Sequence, residues 1–197
     1  MSLAAPSLTV ITPMWIEALA VRSALPGCDV VRCGIGRRRA LRFAEAFAQK
    51  RPAPDALAVT GVCGSLHPWL VPGDVVVASE LLGAGQRRPL DSSKPLARAL
   101  EARGVRVTLG AILSLDHLGR RAERESQRAT GAIAVDMESA WLASPADQLP
   151  FAVLRVVSDG PDHELLSTGG VANGLRALRA LRAAAPALAI WAQTLTH

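Results

Sequence analysis

The sequence predicts an α/β fold, a three-layer α/β/α sandwich around a covered, mostly parallel sheet. Three observations carry that expectation. Apolar, β-branched runs at 8–11, 56–62, 75–78 and 151–157 alternate with segments whose apolar residues recur at helical spacing. The runs are almost continuously apolar, as strands buried on both faces must be. Two runs end abruptly in acids, Val135-Asp136-Met137-Glu138 and Val157-Ser158-Asp159, where the strand ends of an open sheet collect ligands. The competing reading of Asp136 and Asp159 is that each caps a following helix.

In order along the chain, Leu8-Thr9-Val10-Ile11 reads as a short buried strand ended by Thr12-Pro13. Residues 14–25 carry a helical pattern (Met14, Leu19, Val21 and Leu25, with Glu17 and Arg22 between them) that Pro26-Gly27 stops. A second strand over 28–33 leads through the Gly34-Ile35-Gly36 turn into a helix over 37–50. A third strand runs into Gly61-Val62-Cys63-Gly64-Ser65. After the Pro72-Gly73-Asp74 turn comes the β-branched strand 75–78. Residues 83–94, rich in Gly, Pro, Ser and charge, read as a loop. A helix over 96–103, a strand over 105–113, a binding loop over 114–121 and a solvated helix over 121–129 follow. Beyond the two acid-tipped strands, 162–170 is a polar loop, 175–185 an arginine-rich amphipathic helix, and Pro186 separates it from a final helix through Trp191. With neither an internal repeat nor a linker, residues 1–197 are expected to form one domain.

Composition narrows the function classes. Half of the 197 residues are hydrophobic and 20% are charged, which is globular rather than disordered. The net charge of +5 is almost wholly arginine, since Lys50 and Lys94 are the only lysines. The arginines are scattered and few aromatics interleave with them, so no nucleic-acid partner is expected. The arginines of the helix after Gly174 leave at most a peripheral contact with an anionic membrane. Three cysteines without a CxxC pair fit a reducing, cytoplasmic setting. The N-terminus shows no basic stretch followed by a long apolar one, so no signal peptide is expected.

The short motifs exclude more than they assign. Gly34-Ile35-Gly36 has Arg39 where a dinucleotide fingerprint needs its third glycine. Two readings stay open there: an anion site at Gly36 and Arg37 on a helix N-terminus, or a plain tight turn. Cys63 occupies the place a nucleophile elbow gives to serine, and is read as a buried structural thiol. His163-Glu164 lacks the spacing of a zinc motif, and His67, His117 and His197 stand isolated. No metal site and no cofactor are expected.

The order of Met14-x-x-Glu17, Gly34-x-Gly36, Thr60-Gly61-x-x-Gly64, Pro72-Gly73-Asp74-Val75-Val76, Val135-Asp136-Met137-Glu138-Ser139 and Arg155-Val156-Val157-Ser158-Asp159 resembles the purine/uridine phosphorylase superfamily. It is most similar to the branch of methylthioadenosine/adenosylhomocysteine nucleosidases and hopanoid-associated phosphorylases. Thr130 to Ser139, the short chain and the arginine-rich C-terminal helix lean toward the latter. The resemblance implies a mixed, mostly parallel sheet and cleavage of a purine nucleoside at its N-ribosyl bond. It implies Asp159 as the acid directed at the base, supported by Ser158 and Arg155. Glu138 would bind the ribose hydroxyls and Met137 would pack beneath the sugar, with Gly61 and Leu118 as further substrate contacts. Glu17 falls where the nucleosidases hold the glutamate that orients water. Where the phosphorylases place an arginine and a serine for phosphate, this chain has Val59 and Val62. Hydrolysis of an adenosine-type nucleoside, 5′-substituted and on this lean hopanoid-linked, is therefore the leading expectation. Phosphate-dependent cleavage is the alternative, and a nucleoside-binding domain without catalysis the further one. The resemblance also implies a homodimer.

Overall fold

In the computed structural model, β1 (Leu8–Thr12) is buried along its whole length, and its residues alternate between two cores. The structure describes residues 6–49, 52–117, 123–143, 149–160 and 170–196, apart from the side chains of Arg124 and Thr196. The remaining strands are β2 (Asp29–Arg32), β3 (Ala56–Ser65), β4 (Val75–Gly83), β5 (Gln86–Pro89), β6 (Val107–Ser114), β7 (Ala132–Asp136) and β8 (Phe151–Asp159). The helices are α1 (Trp15–Ala24), α2 (Arg37–Ala48), α3 (Ser93–Glu101), α4 (Arg124–Arg128), α5 (Ser139–Leu142), α6 (Gly170–Ala184) and α7 (Pro186–Gln193).

The sheet is mixed, as expected. Pairs β1–β2, β1–β3, β3–β8, β4–β6 and β6–β7 are parallel, while β3–β7, β4–β5 and β4–β8 are antiparallel. Strands β3, β8, β4, β6 and β7 pair in a closed circuit, because Gly64 and Ser65 at the end of β3 turn onto β7. Closure gathers the C-terminal ends of β3, β7 and β8 around one space.

Burial on both faces explains the near-continuous apolar strands. On one face Val10, Ala58, Leu154 and Val156 pack under α1, α3, α6 and α7. On the other, Ile11, Val59, Val153 and Val157 pack under α2 and α5. Two-residue alternation along each strand divides the side chains between the two layers of helix.

Two expectations change. Residues 83–94 were expected to be a loop, yet 86–89 pair with β4 in a hairpin, Gly83 opposite Gln86. Ala84 (φ 54°) and Gly85 (φ 74°) make the two-residue turn, the backbone that right-twisted hairpins prefer. Arg87 and Arg88 disguise the strand, but it is an edge, and Arg87 Nη2 donates to Glu80 Oε2 across it at 2.6 Å. The helix expected over 121–129 is described only as α4, Arg124–Arg128; of the polar loop expected at 162–170, Gly170 is the first residue of α6 and the rest, His163 included, lies outside the described residues, as do Leu118 and His197. No helix among the described residues is long and apolar enough to cross a membrane.

Leu154 is fully buried at the centre of β8, between β3 and β4. Leu154→Ala should cost about 2–5 kcal/mol of unfolding free energy, read from the urea midpoint.

Candidate active site

Gly61 faces Arg155 in the parallel register of β3 and β8. Both lie on the α5 side of the sheet by strand alternation, so a side chain at 61 would occupy the space above the arginine. A Cβ there would stand 2.6 Å from Glu17 Oε1 and 2.8 Å from Arg155 Nη1. The backbone at Gly61 (φ 150°) also lies where L side chains are rare. The missing side chain is thus what lets Glu17, entering from α1, meet Arg155.

Arg155 has no exposed surface. Its Nη2 donates to Ser139 Oγ at 3.0 Å and to Glu138 Oε2 at 3.4 Å, and its Nη1 donates to the Val62 carbonyl at 3.4 Å. Asp136 Oδ2 sits 2.9 Å from Nη2 as an ion pair outside hydrogen-bond alignment. Burial disfavours the guanidinium's charge, but Asp136, Glu138 and Glu17 outweigh it together and push the pKa up. Arg155, expected beside Asp159, directs its guanidinium to these other acids.

Asp136 holds the turn into α5, whose N-cap residue is Glu138, as well as pairing with Arg155. Its Oδ1 accepts from the backbone N–H groups of Glu138 and Ser139, both at 3.2 Å, and from Ser114 Oγ at 2.6 Å. This fixes the turn that presents Glu138. Glu138 Oε1 accepts the Gly36 N–H at 2.9 Å, so the proposed anion donor of that turn is held by a carboxylate here. Arg37 lies outside this cluster, its guanidinium 4.8 Å over the Trp141 ring.

Glu17 is 1% exposed, and both its oxygens are engaged. Oε2 accepts the Met14 N–H at 2.7 Å, closing the first turn of α1, and Oε1 accepts the Val62 N–H at 2.8 Å. Burial raises the pKa of both Glu17 and Glu138; Arg155 opposes the rise without cancelling it. At the end of β8, Ser158 Oγ donates to Asp159 Oδ1 at 3.0 Å and to the Cys63 carbonyl at 3.3 Å. Gly64 gives Asp159 its room: a Cβ there would stand 3.3 Å from Oδ2. Cys63 is buried and its thiol pKa is raised by burial, the state of an inert thiol.

One cavity of about 230 Å³ collects Glu17, Met137, Glu138, Ser158 and Asp159. Its remaining wall includes Met14, Ile35, Val62 and Leu115, with His117 and Gln127. Leu118 lies outside the described residues, and its neighbour Leu115 supplies apolar wall. Reading the sequence as isolated histidines missed His117, whose ring lies 2.7 Å from Asp116 Oδ1 and 3.1 Å from Glu123 Oε2; the first contact, then the second, raises its pKa. Gln127 was missed too, since a lone glutamine in a solvated helix carries no signal.

This fold and site define a class, the nucleoside phosphorylase-like α/β enzymes. The sequence profile of the Phosphorylase superfamily matches residues 28–186, and the chain belongs to that family. It is thereby an enzyme of N-glycosyl bond cleavage, a nucleosidase or nucleoside phosphorylase. No curated protein matches it. Among solved structures it is similar to the 5′-methylthioadenosine/S-adenosylhomocysteine nucleosidase of Campylobacter jejuni (TM-score 0.81, 17% identity, 96% of this chain and 99% of that one). It is also similar to the futalosine hydrolase of Helicobacter pylori (TM-score 0.77, 16% identity, 100% of both chains). A third is the S-adenosylhomocysteine nucleosidase of Streptococcus pyogenes solved with 5-methylthiotubericidin (TM-score 0.77, 19% identity, 99% of both chains).

Two predictions follow from the charges. Arg155→Met strands Asp136 and Glu138 without their cation and should cost about 3–5 kcal/mol in urea unfolding. A loss below about 1 kcal/mol would mean that the carboxyls are neutral in the native protein. Glu17 and Glu138 have folded pKa values above the ordinary 4.5, so the native state holds more protons than the unfolded one between those limits. Stability from these groups is present below 4.5 and is lost as pH rises through the folded values. Glu17→Gln should therefore show a smaller decline in stability than wild type as pH rises above 4.5.

Proposed function

We propose that the protein hydrolyses the N-ribosyl bond of an adenosine-type nucleoside, releasing adenine. The observation that carries this is the convergence of Glu17, Glu138 and Asp159 on one cavity. Breaking the bond leaves positive charge on the ribosyl ring and negative charge on the departing base. A proton delivered to the base lowers the second cost, and a nearby carboxylate lowers the first.

In this reading Asp159, oriented by the Ser158 hydroxyl, protonates the purine at its five-membered ring. Glu138 accepts hydrogen bonds from the ribose hydroxyls with oxygens already aligned by Gly36 and Arg155. Met137, half-buried in the cavity wall, lies beneath the sugar. Glu17 takes the proton of the water that attacks the ribosyl carbon. Its pKa, raised by burial, moves it toward the range where a carboxylate is an effective base near neutrality.

Water is favoured over phosphate by charge. Among the described residues lining the cavity there is no arginine or lysine, and four carboxylates (Glu17, Asp136, Glu138 and Asp159) disfavour an oxyanion. Val59 is fully buried in the core, and Val62 offers its N–H to Glu17. The finer reading of the substrate, a large apolar 5′ group such as a hopanoid chain, is supported by Met14, Ile35 and Val62 on the same wall. A homodimer in the cytoplasm completes the proposal. Exposed Trp15 (63%), Leu19 and Ile35 beside the cavity support the first part, and three free thiols the second. The single sheet that joins all eight strands supports one domain.

Product analysis tests this directly. Adenosine-type substrates should yield adenine and free ribose at the same rate with and without phosphate. A strict phosphate requirement with ribose 1-phosphate as product would replace hydrolysis by phosphorolysis. Asp159→Asn should lower kcat by about 10²–10⁴-fold while the melting curve stays close to wild type. Retained turnover would remove Asp159 from the role of acid.

A further inference from the structure

We propose that Gln127 is a specificity residue of this cavity, its side-chain oxygen accepting a hydrogen from the exocyclic amine of a 6-aminopurine. The inference rests on the nucleosidase reading above and gives its base a recognising group.

Gln127 sits on α4, packed against β7, and lines the same cavity as Leu115, Glu138 and Asp159. It is 7% exposed. Its Oε1 is buried and has no hydrogen-bond partner among the described residues. A buried amide oxygen left without a donor is costly, and such groups mark places that a ligand satisfies. The backbone around it is already served: the Gln127 carbonyl accepts from Thr130 Oγ1 at 2.6 Å. The residue's fold-holding bond is thus made by its main chain, which leaves the side chain for another purpose.

An orphan acceptor calls for a donor. A purine nucleoside offers donors at the ribose hydroxyls and at the base edge. The hydroxyls belong to Glu138, whose oxygens are held in place by Gly36 and Arg155. What remains is the base, and on adenine the donor is the 6-amino group. Its two hydrogens point to opposite sides, one toward the five-membered ring, where Asp159 works, and one toward the six-membered edge. Gln127 takes the second. Carboxamides are well matched to adenine edges for this reason. The cavity has no tyrosine to stack or bond the base, since the chain contains none, so a polar reader beside the apolar Leu115 carries the discrimination.

The test compares adenosine, inosine and purine riboside, which lacks the 6-substituent, in wild type and Gln127→Leu. Wild type should prefer adenosine over purine riboside by about 10- to 100-fold in kcat/KM. In Gln127→Leu that ratio should fall toward one, with a melting curve close to wild type reporting an intact fold. Calorimetry with the free bases gives a readout that needs neither catalysis nor the variant: wild type should bind adenine at least about tenfold tighter than purine. Cleavage of adenosine with the preference intact in Gln127→Leu overturns the role of Gln127 and leaves the nucleosidase standing. So does a variant that loses inosine rather than adenosine, or a wild type that binds adenine and purine equally. No base release from any nucleoside, with adenine still bound over purine in a Gln127-dependent way, overturns the nucleosidase and leaves Gln127 as the reader of the amine.

Discussion

Desolvating a guanidinium costs several kcal/mol, so an arginine with no exposed surface exists only where acids surround it. Arg155 has Asp136 at 2.9 Å and Glu138 at 3.4 Å on one nitrogen, with Glu17 across the gap left by Gly61. Each of these acids is in turn tied to backbone: Asp136 to the turn at 138–139, Glu138 to Gly36, Glu17 to Met14 and Val62. One buried cation thereby fixes the ends of β3, β7 and β8 and the starts of α1, α2 and α5 relative to one another. The sheet's closed circuit makes this arrangement rigid, because β7 is hydrogen-bonded to both β3 and β6.

The same network sets the chemistry. Arg155 anchors Glu138, while burial raises the pKa of Glu138 and Glu17. Asp159 belongs to a separate small group with Ser158 and the space left by Gly64. Asp159 and Glu17 are thus held by different neighbours even though they share one cavity.

Much of this was legible along the chain. The alternation of apolar runs and helical segments foretold the layers, and the ordered motifs foretold Glu17, Glu138 and Asp159 as companions. The hairpin at 86–89 was hidden because an edge strand need bury only one face, so Arg87 and Arg88 are tolerated in it. Asp136 looked like either an N-cap or a site acid; the N-cap of α5 is Glu138, and Asp136 holds the turn before it while balancing Arg155. Arg155 was expected to act near Asp159, four residues further along the same strand, but a register shift between β3 and β8 lies between them. The arginine's length carries the guanidinium to α5, a direction that spacing along a strand does not encode.

The sequence by itself determined the class of fold, the acids and the glycines, because these depend on local periodicity and on residue types with few alternatives. The tertiary structure alone decided which acid serves which partner. Gly61 carries meaning only beside Glu17 and Arg155, which lie 44 and 94 residues away in the chain. Gln127 reads as one more polar residue of a solvated helix until α4 folds its amide into the cavity wall. Both are statements about what a side chain, or its absence, leaves unfilled, and only packing defines such a space.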